Sequence, residues 1–360
     1  MAKKRPIRIG LIGLGRAGWG MHVAELKGKE KLFQIVAVCD PITERLKAAA
    51  KKFGCKTYTE VKDLIADPNV ELVDITSRST DHVPHALMAL KARKWVFLEK
   101  PMCLVYADAL RLKRAAKGRL FIRQNRRFEP AFQHIREIVA SGILGHVYEI
   151  KLRRHGYNRR DDWQTLKSCG GGQLLNWGPH IIDHALRLMG APIKEQRSEL
   201  RRLVAAGDAE DHVNITFYGK NERRINLEIS SGAALKEEEY TVFGTKGALT
   251  CTGESIHLRY LDPKQKLTTR RAKVGTPKLG SFGSKEKLKW IDKKIKAAPK
   301  TGCNMNDTMW LALYDTIRLK KAFPIKLDEA VEIMKIVEQV RKGTPFEMKK
   351  SKVKSLRRSR

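Results

Sequence analysis

The sequence predicts an α/β chain in two parts: a doubly wound parallel sheet, then a mainly antiparallel, open-faced sheet with helices on one face. Three observations carry this. Apolar strands alternate with helical stretches over the first 123 residues. A GxGxxG stands between the first strand and the first helix. From about Gly145 strand-like segments follow one another with few helices between them. At 360 residues the chain is long enough for two domains, each with its own core.

Residues 7–12 form an apolar run ending in glycines, and a helical stretch follows from about Arg16. Residues 35–39 read as the second strand and 43–53 as the second helix. Strands are expected over 70–75, 95–98 and 120–122, with helices over 81–93 and from Tyr106. Apolar strands alternating with helices imply parallel pairing through right-handed crossovers. Further on, one long helix is expected over 173–189, and strands over 197–206, 211–219, 223–231, 238–244 and 247–251. Two amphipathic helices, near 306–321 and 328–342, close the pattern. The expected divisions are 1–123, 124–345 and a basic tail over 346–360.

Composition removes several classes. Apolar residues make up 42% and charged residues 31%, which excludes a wholly disordered chain. No apolar run approaches the roughly 18–20 residues that span a bilayer. The basic start Met1–Pro6 leads into a strand pattern, not a signal-peptide core. Six scattered cysteines without a CxxC suit a reduced, cytoplasmic setting. The unusual number is the charge, +33 from 72 Lys+Arg against 39 Asp+Glu. Much of it is concentrated: thirteen basic residues against two acids over 264–300, seven against none over 349–360, and eight against none over 111–127. Pro and Gly breaks make 264–300 read as a surface loop with one short amphipathic helix, and the tail reads as a disordered arm. Neither interleaves the aromatics of a single-strand-binding platform. A solvated basic surface is the plain reading, and polyanion binding by 264–300 and the tail is the sharper one.

Gly13-Leu14-Gly15-Arg16-Ala17-Gly18 supplies the dinucleotide fingerprint. Its first glycine permits a tight turn, its second lets backbone approach a pyrophosphate, and its third permits close helix–strand packing. Alone it is a glycine turn. Asp40, 22 residues beyond Gly18 at the end of the second strand, sharpens it, because a carboxylate there accepts both ribose hydroxyls and repels a 2′-phosphate. NAD(H) is therefore expected over NADP(H), with Arg16 and Arg45 as softening influences. Glu99-Lys100-Pro101 follows a strand whose carboxyl end faces the ligand crevice, so Lys100 is aimed at the nicotinamide end, where it can relay a hydroxyl proton.

These motifs, with Gln124-Asn125-Arg126-Arg127-Phe128 and Gly170-Gly171-Gly172-Gln173-Leu174-Leu175-Asn176-Trp177-Gly178-Pro179-His180-Ile181-Ile182-Asp183, make the sequence resemble the Gfo/Idh/MocA oxidoreductases over about residues 6–345. The resemblance implies an N-terminal NAD(P)-binding Rossmann domain and a C-terminal substrate and oligomerisation domain, with a homodimer or homotetramer formed through the C-terminal sheet. It implies a sugar, cyclitol or sugar-derivative substrate. Lys100 and His180 would handle the hydroxyl proton while hydride passes to nicotinamide C4. The chain departs from the family at Asn176, where an Asp is commoner; an amide can orient an imidazole but cannot accept its proton. Ala17, Ser77, His82, Glu99 and Gln124 join the implied cofactor contacts. Arg78 stands where the family often has proline. Arg127, Arg159, Arg160, Asp162 and Trp163 are candidates for the substrate cleft. His180 and His184 have a metal-compatible spacing beside Asp183 but no clear third ligand, so no metal is expected. A non-catalytic dinucleotide sensor on the same fold is the rival reading.

Overall fold

The structure, a computed structural model, describes residues 5–272, 274–276, 286–299 and 303–348. Six parallel strands form the first sheet in the order β3-β2-β1-β4-β5-β6: β1 Ile7–Ile12, β2 Phe33–Cys39, β3 Lys56–Tyr58, β4 Leu72–Ile75, β5 Trp95–Leu98 and β6 Leu120–Ile122. The order reverses beside β1, so the carboxyl ends of β1 and β4 open a crevice at a topological switch point. Helices α1 Val23–Glu25, α2 Thr43–Phe53, α3 Val61–Ala66, α4 His82–Lys91 and α5 Tyr106–Ala116 make the crossovers. Glycine in the left-handed conformation ends α2 at Gly54. Between β1 and α1 the chain winds one π turn, Gly18–His22, in which His22 N–H bonds to Ala17 O. That wider turn replaces the regular helix expected from Arg16 and aims His22 into the core.

After α6 (Pro130–Ala140) comes an eight-stranded sheet in the order β14-β13-β12-β11-β7-β10-β9-β8. Its strands are β7 Val147–His155, β8 Ile193–Arg201, β9 His212–Gly219, β10 Arg224–Ser230, β11 Tyr240–Gly244, β12 Gly247–Thr252, β13 Ser255–Leu261 and β14 Trp290–Lys296. All pairings are antiparallel except β7 with β10. The strand expected over 197–206 starts earlier and stops at Arg201. The Asp211 carboxylate takes the backbone N–H groups of Leu203, Val204 and Ala205, bending the chain out of the ladder. The short helix expected within 264–300 is not seen in the described part, where β14 pairs with β13. Its buried-side residues Ile291 and Ile295 are four apart, a spacing that suits both a helix and one face of a strand. The remainder of that stretch and the tail from Lys349 lie outside the described residues.

The helix expected over 173–189 is two helices, α7 Gln173–Asn176 and α8 Gly178–Met189. Pro179, in the first turn of α8, has no N–H to continue the ladder. Helices α9 Met305–Leu319 and α10 Leu327–Arg341 follow. One apolar core joins α3, α4 and α5 to the second sheet, α8 and α10. A second core fills the other face of the first sheet, where α1 and α2 are joined by Met309, Trp310, Leu313 and Ile317 of α9. Among the described residues, no helix is long and apolar enough to cross a membrane.

Candidate active site

The glycine loop separates the roles of its three glycines. Gly13 has φ +91°, and a Cβ there would lie 2.9 Å from the Ser77 nitrogen. A Cβ on Gly18 would lie 1.9 Å from Gly13 O and 2.6 Å from Thr76 Oγ1. At Gly15 the nearest group is the Arg45 guanidinium, 3.9 Å away. The first and third glycines are closed by protein, while the second faces open space where a pyrophosphate can approach, so this loop fits a dinucleotide. Gly18→Ala should force the loop apart at an overpacking cost of about 1–3 kcal/mol. Dinucleotide Kd, read by fluorescence titration, should then rise roughly 5- to 150-fold. An unchanged Kd would remove the loop from the cofactor site.

Asp40 is buried. Its carboxylate accepts N–H from Leu14 at 2.7 Å and from Ile42 at 2.9 Å, with Arg45 Nη1 at 3.3 Å. It holds the loop in place and sets a negative charge beside it. Arg16 is exposed and Ala17 half-buried at the start of the π turn.

Lys100 stands at the carboxyl end of β5, bringing an ammonium to the break between α7 and α8. His180 N–H bonds to Trp177 O, so the Asn176 carbonyl has no helical partner at that position. Lys100 Nζ takes it, donating to Asn176 O at 2.9 Å and standing 3.4 Å from Asn176 Oδ1. The interruption of the helix thus makes the lysine's acceptor. Burial, with the charges of Arg126, Arg123 and Arg16, lowers the Lys100 pKa to about 8 against the opposing pull of Glu99. His180 is buried, and its Nδ1 has no hydrogen-bond partner among the described residues. Burial and the nearby Lys100 and Arg126 push its pKa well down, so it is a neutral imidazole.

Other expected residues are engaged by the protein itself. Glu99 and Lys100 are neighbours in an extended segment and point opposite ways. Glu99 is buried and accepts from Arg123 Nη1 at 2.9 Å, faces His22 Nε2 at 3.0 Å, and accepts from the Lys100 backbone N–H at 3.0 Å. His82 is buried between Pro101 O (2.7 Å) and Ser77 O (3.1 Å), and the Ser77 hydroxyl meets His85 Nδ1. His82 fastens the β4 and β5 loops to each other, and His85 ties α4 to the β4 loop. Gln124 Nε2 reaches Pro179 O at 3.4 Å, and its buried Oε1 is unpartnered among the described residues.

A cavity of about 660 Å³ lies at the carboxyl ends of β7 and β10, lined by Arg126, Gln173, Trp177, His155, Glu239 and Tyr240 among others. Arg126 stacks 4.2 Å from the Trp177 ring centroid, and Trp177, which lines the cavity, meets the His180 ring edge-on with centroids 6.2 Å apart. The wall is ion-paired: Arg126 with Glu129, Arg153 with Glu237 and Arg154 with Glu239. Arg127, expected to line the substrate cleft, is instead buried on Asp183 (2.5 Å) and Glu329 (2.5 Å). The tight turn over 125–128 presents Arg126 to the cavity and turns Arg127 inward. Arg160 pairs with Asp162, and Trp163 lies under the Arg78 guanidinium at 5.8 Å. Neither Arg160 nor Trp163 lines this cavity. His184 is occupied by Arg126 O, the Tyr240 hydroxyl and the Phe132 ring, so it is not available beside His180 as a metal ligand. Sequence reasoning misses Arg126, Gln173, His155 and Tyr240, because each is a single polar residue on an element whose facing side only the fold decides.

Comparison with known proteins agrees with this architecture. A model described as an oxidoreductase family with an NAD-binding Rossmann fold matches residues 7–122, and the family's C-terminal domain matches 132–250. The chain is 31% identical to a myo-inositol 2-dehydrogenase of Thermotoga maritima, over 68% of this chain and 74% of that protein. It is 25% identical to a scyllo-inositol 2-dehydrogenase (NADP(+)) of Bacillus subtilis, over 92% of each. An NAD-binding protein from Listeria innocua shares the fold, with TM-score 0.80 at 24% identity over 95% of this chain and 98% of that one. With its parallel nucleotide-binding sheet, its open-faced second sheet and both family domains matched in order, this chain belongs to the Gfo/Idh/MocA family of oxidoreductases.

Proposed function

We propose that this chain is an NAD(H)-dependent dehydrogenase acting on a secondary hydroxyl, or the matching carbonyl, of a cyclitol, sugar or sugar derivative. The observation that carries this reading is Lys100: a half-buried lysine of lowered pKa at the carboxyl end of β5, its ammonium held by the Asn176 backbone carbonyl at the break between α7 and α8. The relatives named as inositol dehydrogenases support a cyclitol. The ion-paired, neutral cavity wall suits an uncharged polyol better than an acid. Asp40 supports NAD over NADP, because its charge opposes a 2′-phosphate. Arg45 on the same carboxylate is the residue through which NADP would be admitted.

When bound, the nicotinamide ring supplies the hydride acceptor. Deprotonated Lys100 takes the hydroxyl proton on Nζ and becomes the ammonium as the substrate C–H leaves as hydride, giving the carbonyl product. The reverse reaction returns that proton. Neutral His180 orients the hydroxyl oxygen, and Asn176 fixes Nζ without adding a negative charge.

A dehydrogenase screen with NAD and NADP over cyclitols, sugars and sugar nucleotides tests the reading. Turnover of a polyol with NAD is the expected result. Dinucleotide binding with no turnover across the panel would assign the chain to the sensor class. The Asn176→Asp variant adds a carboxylate beside Nζ, which should raise the Lys100 pKa by roughly 1–3 units. The alkaline rise of kcat/KM should move up from near pH 8 with it; an unmoved limb would exclude Lys100 as the titrating base.

A further inference from the structure

Below the crevice lies a buried charged cluster that the proposed reaction does not use directly. His22, on the π turn after the glycine loop, is fully buried. Its Nδ1 is 2.8 Å from Asp74 Oδ2 and its Nε2 is 3.0 Å from Glu99 Oε1. Ionised carboxylates only accept hydrogen bonds, so a ring between two of them carries a proton on each nitrogen; burial raises the Asp74 pKa, and the charge of His22 and its hydrogen bond oppose that rise. Arg123 reaches the same Glu99 oxygen at 2.9 Å, places Nη2 2.5 Å from Glu25 Oε1, and touches Asn306 Oδ1 of α9. The other Glu99 oxygen receives the Lys100 backbone N–H. Phe97 and Trp310 pack around the ring.

We infer that His22 is a positioning residue for Lys100: its imidazolium, with Arg123, holds the Glu99 carboxylate on the far side of the strand end, away from Nζ. This rests on the reading of Lys100 as the base. The consequence is electrostatic. With both cations on one Glu99 oxygen, that carboxylate caps the Lys100 backbone instead of pairing with its side chain, and no carboxylate stands within ion-pair distance of Nζ among the described residues. Without the imidazolium, Glu99 gains freedom to turn toward Nζ, and a positive charge leaves the vicinity. Both changes favour the protonated lysine.

The charged groups around the two sites are few. Asp74, Glu99 and Arg123 act on His22. Glu99, Arg126, Arg123 and Arg16 act on Lys100, and Lys100 and Arg126 act on His180. Burial alone would lower the His22 pKa, but the Asp74 charge and the bonds to Asp74 and Glu99 outweigh it and raise the value to about 9. His22 is therefore mostly charged at the Lys100 midpoint near 8 and loses its charge about one pH unit above it. Since its folded pKa lies above its unfolded one, its contribution to stability is full below about pH 6.5 and fades as pH rises through 9.

The test uses the full chain with His22→Gln, which keeps a polar side chain but no charge, and reads Lys100 directly. The pH dependence of Lys100 acylation, followed by peptide mass spectrometry without substrate or cofactor, should give a midpoint near 8 in the parent. In His22→Gln the midpoint should rise by half a unit or more, and the rate limb on a turned-over polyol should move with it. In a Glu99→Gln background, His22→Gln should shift the midpoint far less, because the carboxylate it restrains is gone. The melting temperature of the parent, but not of His22→Gln, should carry the fall between pH 6.5 and 9. A folded His22→Gln whose Lys100 midpoint is unchanged overturns the inference. If that variant does not fold, Asp74→Asn replaces it, removing the carboxylate that holds the imidazolium's other nitrogen; a raised Lys100 midpoint then supports the inference and an unchanged one overturns it. A parent that turns over nothing defeats the dehydrogenase reading alone, since the acylation midpoint needs no turnover.

Discussion

Lys100→Met is expected to lower kcat on the true substrate by about 10²–10⁴-fold, the range supplied by a positioned acid–base group. Methionine keeps the length and the apolar stem, so packing at the β5 end survives. What is lost is the proton acceptor that the proposed reaction requires, along with the hydrogen bond to Asn176 O. Dinucleotide Kd should stay within about threefold, because Gly13, Gly15, Gly18 and Asp40 lie on other loops. Stopped-flow turnover with an independent binding titration separates the two quantities. Near-parent kcat in Lys100→Met would leave the buried, neutral His180 as the one remaining ring that could take the proton, and the mechanism above would be wrong.

The second large effect is on stability. Trp310 of α9 is fully buried against His22, Phe33 and Phe97, with ring centroids 5.6, 5.3 and 5.1 Å away. Its Nε1–H donates to Glu25 Oε2 at 2.9 Å, and Glu25 also holds Arg123. Trp310→Ala should therefore cost about 3–5 kcal/mol in urea-induced unfolding, the range for emptying a large aromatic site. Trp310→Phe restores the ring but leaves the Glu25 oxygen short of a donor, a loss of about 1–3 kcal/mol. A Trp310→Ala chain within about 1 kcal/mol of the parent would show that α9 is not bound into the first sheet's core.

The sequence is most readable where one chemical demand covers several residues. The glycine loop, Asp40 and Lys100 each need a strand end, and the strands that supply them are short apolar runs with clear borders. The three-residue strand β3 has an exposed lysine and no apolar pattern, so nothing in it announces pairing. Strand β7, at the heart of the second sheet, is equally silent. Lys151, Arg153, Arg154 and His155 interrupt its alternation, and their charges are satisfied only by partners distant in sequence such as Glu237 and Glu239. In sequence, the charge excess over 111–127 looks separable from the chemistry. In the fold, Arg123 sits in the His22–Glu99 cluster, Arg127 locks α8 to α10, and Arg126 lines the cavity under Trp177. A count of charges cannot tell a solvated arginine from a buried one, because the distinction depends on carboxylates brought in by tertiary contact. Asn176 and His180 are four residues apart and would share one face of the unbroken helix expected over 173–189, but they stand on separate helices. The break at Pro179 changes which atom of Asn176 meets the lysine.

The placement of α9 also bears on how the chain is made. Trp310 and Met309 complete the apolar face formed by Phe33, Phe97 and Phe121, yet they leave the ribosome about 190 residues after β6, roughly 10–40 s later at ordinary elongation rates. Through that interval the nascent nucleotide-binding sheet presents an uncovered aromatic surface. The chain's dependence on chaperones in the cell should therefore be set by the wait for its penultimate helix, and an isolated N-terminal fragment should be recovered as aggregate.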